Sequence, residues 1–313
     1  MMNYKSILNK LNGIICNGSD KNWIIIGDNS SGKSELLKNI VEEFRGKVYF
    51  IDSVNRYFDI KNTNLYRGEV TYNISATDIV NNRIQDEYHN LKDSFGQNEH
   101  IERLYTLYEQ KLKNLVKEFM EIDFTIEREE LSKGLGDGDP KVKIDGKEVE
   151  LSSGYQAMVR LFSEITFYCE HLGGDGVIVI DEIDEFLSPK YSAKILGFLI
   201  ENFTRNKFII STHSSDLIAS SRDCGIIALE KDSFSILDSN DFSTLTEVNT
   251  LFVKMFSTKT NYDKDIVEEK LQKLLDLKIS DNWFETEENE FESIKFDNLT
   301  PVQKVMYKQI QEW

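Results

Sequence analysis

Gly27-Asp28-Asn29-Ser30-Ser31-Gly32-Lys33-Ser34 sets one glycine, four residues, then Gly-Lys-Ser. That is the spacing of a phosphate-binding loop. The flanks suit it. Trp23-Ile24-Ile25-Ile26 comes before and is short enough for a buried strand, and Glu35-Leu36-Leu37-Lys38-Asn39-Ile40-Val41 follows and reads as a helix. The glycines let backbone N–H groups turn toward an anion, and the helix N-terminus adds favourable partial charge. Gly27, Asp28, Asn29, Ser30, Ser31, Gly32, Lys33 and Ser34 are therefore candidate ligands of a nucleoside triphosphate. Lys33 is spaced to reach the β- and γ-phosphates, and the Ser34 hydroxyl to ligate Mg²⁺.

Working outward, the 313 residues suit one large domain with additions, or two domains. No apolar run approaches the roughly 18 residues a membrane span needs, and Met-Met-Asn-Tyr-Lys does not open a signal peptide. Cys16, Cys169 and Cys224 lie far apart with no CxxC spacing, which argues for neither a zinc site nor a disulfide framework. A reducing cytoplasm is the expected setting. The net charge of −17 argues against a general DNA-coating protein, because non-specific affinity comes from neutralised phosphates.

Ahead of the loop, Leu11 to Cys16 and Trp23 to Ile26 form two short apolar runs separated by a turn at Asn17-Gly18-Ser19-Asp20. Beyond it, Gly46 ends the first helix and Lys47 to Asp52 reads as a second buried strand. Strand, helix, strand points to a parallel sheet. Residues 53 to 76 read mostly as loop. Val80, Ile84, Tyr88 and Leu91 then share one helical face. Ile101, Leu104, Tyr108, Leu112, Leu115 and Phe119 share another, across a loop holding Gly96. This predicts a helical hairpin at roughly residues 77 to 121. Residues 122 to 128 alternate like a strand, Gly134 to Pro140 reads as a flexible loop, and Val142 to Val149 as a hairpin turning at Asp145-Gly146. Further strands are expected at Val177 to Ile180 and Lys207 to Ser211, with a terminal hairpin of Ile226 to Leu229 and Ser233 to Leu237. Residues 1–240 are expected to form one domain and 241–313 a C-terminal helical appendix. Within the appendix Asp281 to Glu292 reads as loose, and Thr300-Pro301-Val302-Gln303 as a capping box.

Three further segments carry chemistry. Asp181 and Glu182 directly follow Val177-Ile178-Val179-Ile180. Placed at the end of a core strand, Asp181 can hold the water shell of Mg²⁺ and Glu182 can polarise an attacking water. Leu151-Ser152-Ser153-Gly154-Tyr155-Gln156 opens a helix with a hydroxyl and backbone amides, an arrangement suited to an anion. Phe208-Ile209-Ile210-Ser211-Thr212-His213-Ser214 ends a strand with a histidine.

In this order the segments resemble the ATP-binding-cassette (ABC) ATPases, over roughly residues 20 to 237. Ser152 to Gln156 resembles the signature Leu-Ser-Gly-Gly-Gln, with Ser153 in place of the first glycine and Tyr155 inserted before Gln156. His213 sits where the family has its switch histidine. No glutamine follows the second strand, where Ser53-Val54-Asn55-Arg56-Tyr57 stands, and Asn55 is the available substitute. Asp181-Glu182-Ile183-Asp184 is unlike transporter ATPases, which continue with proline. It is more similar to the soluble branch of SMC heads, RecF and OLD-type ATPases. The short hairpin and the absence of a terminal nuclease domain make the chain resemble a stand-alone OLD-like ATPase of bacterial anti-phage systems of the Septu and retron type.

The resemblance implies an α/β P-loop NTPase fold with an ABC-ATPase-type sheet. It also implies ATP and Mg²⁺ as cofactors, Ser34 and Asp181 at the metal, and Glu182 and His213 in slow, regulatory hydrolysis. Ser152, Ser153, Gly154 and Gln156 would contact the nucleotide of a second copy, so a homodimer is expected. A separate effector, such as a nuclease, is the expected partner, with nucleic acid as a trigger and no membrane. The alternatives are a DNA-repair clamp of RecF type that grips DNA itself, a transporter subunit, and a module that uses ATP only as glue.

Overall fold

The apolar run Leu11 to Cys16 lies in a helix. In the computed structural model Tyr4–Gly18 is α1, and Ile7, Leu8, Leu11 and Ile15 repeat at the three- and four-residue spacing of one buried face. The description covers residues 4–18, 21–53, 56–63, 76–84, 101–130, 137–230, 233–242, 244–256, 259–280, 283–296 and 299–312. These fall into two compact units, 1–245 and 246–313.

In the first unit α1 is followed by β1 (Asn22–Gly27), α2 (Lys33–Glu43), β2 (Val48–Ile51), α3 (Ala76–Arg83) and α4 (Tyr105–Met120). Next come β3 (Phe124–Glu130), β4 (Asp137–Ile144), β5 (Lys147–Glu148) and α5 (Ser153–Thr166), which runs on into a π-turn at Phe167–His171. The unit is completed by β6 (Val177–Ile180), α6 (Pro189–Asn202), β7 (Lys207–Ser211), α7 (Ser215–Ser220), β8 (Cys224–Leu229) and β9 (Phe234–Asp238).

Six strands form one sheet in the order β2-β6-β7-β1-β8-β9. The first five are parallel, and β9 closes the edge antiparallel to β8. Ile24, Ile25 and Ile26 of β1 and Ile178, Val179 and Ile180 of β6 are fully buried, as continuous apolar strands covered on both faces should be. Parallel pairing puts the C-terminal ends of β1, β6 and β7 along one edge. The segments that begin at Gly27, Asp181 and Thr212 therefore leave the sheet side by side. This is the α/β fold of the P-loop type that the motifs imply.

β3, β4 and β5 make a separate antiparallel sheet. Its tight turn uses Asp145 (φ 52°) and Gly146 (φ 78°), the left-handed pair an Asp-Gly hairpin favours. Asp137 to Pro140, expected in a flexible loop, instead opens β4. Pro140 lies opposite Arg128, where the register shifts, so the N–H it lacks falls at an irregularity of the ladder. Of the expected hairpin, α3 buries Ile79, Val80 and Arg83. α4 buries Leu112, Leu115, Val116 and Phe119, and Phe119 meets Phe162 of α5 edge-on at 5.6 Å. Tyr88, Leu91 and Gly96 lie outside the described residues.

The second unit holds most of α8 (Leu245–Phe256), then α9 (Lys259–Ile279), α10 (Glu285–Glu292) and α11 (Pro301–Glu312). Leu271, Leu274, Phe291, Ile294, Leu299 and Ile310 form its core, and Phe291 stacks on Tyr307 at 4.3 Å. The acidic stretch expected to be loose is helical over 285–292. Glu285, Glu287 and Glu288 stand in its first turn, where negative charge favours a helix, and Phe291 anchors it. The capping box at Thr300 is formed. Its hydroxyl accepts from the Gln303 N–H at 3.3 Å, and the Gln303 side chain accepts from the Thr300 N–H at 3.0 Å.

Candidate active site

The loop between β1 and α2 is held by conformation and close approach. Ser30 (φ 65°) and Gly32 (φ 98°) both take left-handed backbone. A side chain at Gly27 would put its Cβ 2.3 Å from the Ser31 hydroxyl and 2.7 Å from the Leu229 carbonyl oxygen, so only glycine fits there. Lys33 is buried. It folds back to donate to the carbonyls of Gly27 at 2.9 Å and Asp28 at 3.2 Å. Burial pulls its ammonium below the usual lysine range, against the opposing pull of Glu182, Asp181 and Asp28.

The strand ends converge on this loop. The Ser34 hydroxyl donates to Asp181 Oδ2 at 3.0 Å. Ser211 donates to the other oxygen, Oδ1, at 2.5 Å and accepts the Glu182 N–H at 2.7 Å. Asp181 is thus buried between a loop hydroxyl and a strand hydroxyl. Thr212 similarly donates to Asp184 at 2.5 Å. Glu182 has φ 48°, a left-handed conformation costing a non-glycine residue about 1–2 kcal/mol. It swings the Glu182 carboxylate toward His213, whose Nε2 is 3.9 Å away.

The electrostatics of that pair are set by partial burial. Burial, then the charges of Asp181 and Glu185, raise the Glu182 carboxyl above the ordinary glutamate range. Burial, then the charge of Lys33, lowers the His213 imidazolium below the ordinary histidine range. The lowering favours the uncharged imidazole, which can donate one hydrogen bond and accept another.

Several contributors carried no motif. Ser211 sits one residue before Thr212-His213 and reads in sequence only as the end of a strand. Arg56, 3% exposed, follows β2 and donates from Nη2 to the carbonyl oxygens of Asp181 at 2.9 Å and Glu182 at 3.4 Å. Its Nε and Nη1 are buried without acceptors among the described residues. Nearby lie Asp52, Arg83, Glu102, Arg160 and Glu164, all buried. Arg83 donates to Glu164 at 2.9 Å and to the Phe50 carbonyl at 2.7 Å, and lies 3.5 Å from Asp52. Arg160 pairs with both Glu164 and Glu102. Burial would raise the Glu164 carboxyl, but Arg83 and Arg160 outweigh it and hold it low. Asn55 lies outside the described residues.

Ser152 to Gln156 is not drawn into this cluster. Ser152 caps α5, accepting from the Tyr155 N–H at 3.5 Å, and the Gln156 side chain donates to the Leu151 carbonyl at 3.1 Å. Gly154 packs so close that an added Cβ would lie 3.0 Å from the Phe186 carbonyl oxygen. Leu151 and Gln156 line a cavity of about 490 Å³ with Tyr57 to Lys61, and none of Gly27 to Ser34 lines it. Ser152 and Ser153 are exposed.

A family model described as "AAA domain, putative AbiEii toxin, Type IV TA system" matches residues 52–219, more than half of the chain. The chain belongs to this AAA family. The matched part of this AAA-family chain takes in Ser152 to Gln156, Asp181, Glu182 and His213, and the phosphate loop precedes it. Over 206 residues the chain is 29% identical to the retron Vc95 probable ATPase of Vibrio cholerae serotype O1 biovar El Tor, spanning 59% of this chain and 38% of that protein. It is 32% identical over 69 residues to the Septu protein PtuA of Bacillus mycoides (strain KBAB4), spanning 21% of this chain and 10% of that one. The chain thus spans well under half the length of these curated relatives. Among solved structures, an SMC head domain from Thermotoga maritima is 14% identical, with 70% of this chain and 90% of that one covered and a TM-score of 0.37. The AAA-family chain is thus similar, over part of their lengths, to a retron protein named a probable ATPase and to a Septu protein. No helix among the described residues is long and apolar enough to cross a membrane.

Proposed function

We propose that this chain binds and slowly hydrolyses ATP, and that two copies close around two ATP–Mg²⁺ to switch a partner effector in anti-phage defence. The reading rests most on one observation: Ser34 and Ser211 hold the two oxygens of Asp181, and the next residue, Glu182, has its carboxylate 3.9 Å from His213. Gly27 to Ser34 would cradle the phosphates, and Lys33 would exchange its two carbonyl contacts for phosphate oxygens. Ser34 and Asp181 offer hard oxygen ligands 3.0 Å apart, the donor type Mg²⁺ takes beside phosphates and water. The ion would neutralise charge on the phosphates when bound. Glu182 is the proposed general base. His213, uncharged, would steady the γ-phosphate and the water.

Ser152, Ser153, Gly154 and Gln156 stand apart from the chain's own loop. That supports their use in trans, against the nucleotide of a second copy. The capped, exposed N-terminus of α5 is suited to an anion arriving from outside. The effector would be a separate protein, such as a nuclease, in the cytoplasm, with nucleic acid as trigger. The test is to measure the mass of the Glu182→Gln form with and without ATP–Mg²⁺, alone and with its genomic neighbours. ATP-dependent dimerisation supports the reading, and an unchanged mass in every mixture removes it. DNA-stimulated hydrolysis with tight, salt-dependent DNA binding by the isolated chain would favour a DNA-gripping clamp instead.

A further inference from the structure

We propose that Arg56 is the positioning residue for Glu182, through the carbonyl oxygens of Asp181 and Glu182. The proposal rests on the reading of Glu182 as the base. Glu182 is held in left-handed backbone that its side chain disfavours (φ 48°), so something must hold it there. Its N–H is fixed by the Ser211 hydroxyl at 2.7 Å, and its carbonyl accepts from the Glu185 N–H at 3.0 Å. Arg56 adds a further grip. A single nitrogen, Nη2, reaches the carbonyl oxygens of Asp181 and Glu182, one on each side of the Glu182 α-carbon. A buried guanidinium is an expensive way to satisfy two carbonyls, and Nε and Nη1 have no acceptor among the described residues.

What keeps the charge of Arg56 there is the buried cluster beside it. Burial lowers the Arg56 guanidinium, while Asp52, Glu164 and Asp181 support its charge and Arg83 opposes it. Arg83 comes from α3 and Glu102 from the turn before α4, both in the helical insertion, and Arg160 and Glu164 come from the helix that Ser152 caps. Three arginines (Arg56, Arg83, Arg160) thus face three carboxylates (Asp52, Glu102, Glu164). A shift of α3 or α5 would change the field that holds Arg56, and with it the backbone that aims Glu182.

The experiment compares Arg56→Ala and Arg56→Lys in the full chain, alone and with Glu182→Gln, by single-turnover and steady-state ATP hydrolysis and by direct ATP binding. The expected result is a fall in kcat of roughly 10- to 100-fold with KM and ATP affinity little changed, since a misplaced catalytic group loses rate without losing substrate. Arg56→Lys should recover part of the rate. In the Glu182→Gln background neither substitution should slow the residual rate further. An unchanged kcat, a loss confined to ATP affinity, or an equal further loss in the Glu182→Gln background would overturn the proposal. Should Arg56→Ala not fold, Arg56→Lys decides on the same readings. If Glu182→Gln itself hydrolyses ATP at the wild-type rate, the base assignment fails. A dead Glu182→Gln with a normal Arg56→Lys and Arg56→Ala removes only the role of Arg56.

Discussion

Ser211 donates its hydroxyl hydrogen to Asp181 at 2.5 Å, tying the end of β7 to the end of β6 at the point where the chain leaves the sheet. The same oxygen accepts the Glu182 N–H, so one hydroxyl fixes both acidic residues. Ser211→Ala leaves a buried carboxylate oxygen and a backbone N–H unmet. Denaturant unfolding should show a loss of about 1–3 kcal/mol. ATP turnover should fall roughly 10- to 100-fold, because the outer partner of the acidic pair is gone.

Gly27→Ala should abolish nucleotide binding. The new Cβ would meet a flexible hydroxyl, Ser31 Oγ, at 2.3 Å, and a backbone oxygen, that of Leu229, at 2.7 Å. The first contact can be relieved and the second cannot without moving β8. Adding Ser31→Gly should therefore not restore binding. Isothermal titration with ATP and a thermal melt of both variants check this, and stability should drop by about 1–3 kcal/mol, the cost of overpacking.

The protonation of His213 gives a pH signature. Its pKa is lowered in the folded chain, so the unfolded chain binds the proton first as pH falls. The histidine therefore penalises folding below about pH 6.5, and stability rises with pH through that window as far as this group is concerned. Replacing it by asparagine should flatten the curve there. Wild type and His213→Asn should differ in the pH dependence of melting below about 6.5 and run parallel above it.

Arg83 is 0% exposed and holds Glu164, the Phe50 carbonyl and Asp52 at once. Arg83→Ala leaves Asp52 without that guanidinium and Glu164 with Arg160 alone among its arginine partners, and should cost about 3–5 kcal/mol in urea unfolding. Adding Glu164→Gln removes one carboxylate from a cluster that has lost a cation, so the double variant should be more stable than the single one. An additive further loss would show that the two residues are not coupled.

The parts of this molecule that were legible in sequence are those whose partners are near in the chain or whose pattern repeats. The four-residue gap in Gly27 to Ser34, the four apolar residues before Asp181, and Asp145-Gly146 in its hairpin each announce a backbone shape locally. α1 was obscured because its apolar residues crowd together at Leu11 to Cys16, hiding the helical repeat that begins at Ile7. The charge of 285–292 suggested a loose segment, yet those glutamates favour a helix start, and Phe291 decides the packing. The buried cluster was invisible for a different reason. Arg83 meets a partner 81 positions away and Arg56 one 125 positions away, and a lone arginine on a helix face or loop normally reads as solvated. Only the fold brings them under one roof.

The left-handed backbone at Glu182 also sets two kinds of selection against each other. Glycine or asparagine would occupy that conformation at less cost, and either would remove the proposed base. Glu182→Gly is therefore expected to melt higher than wild type while losing turnover. A library of this chain screened for heat resistance alone should enrich glycine or asparagine at position 182. One screened for turnover should keep the glutamate and seek its stability elsewhere.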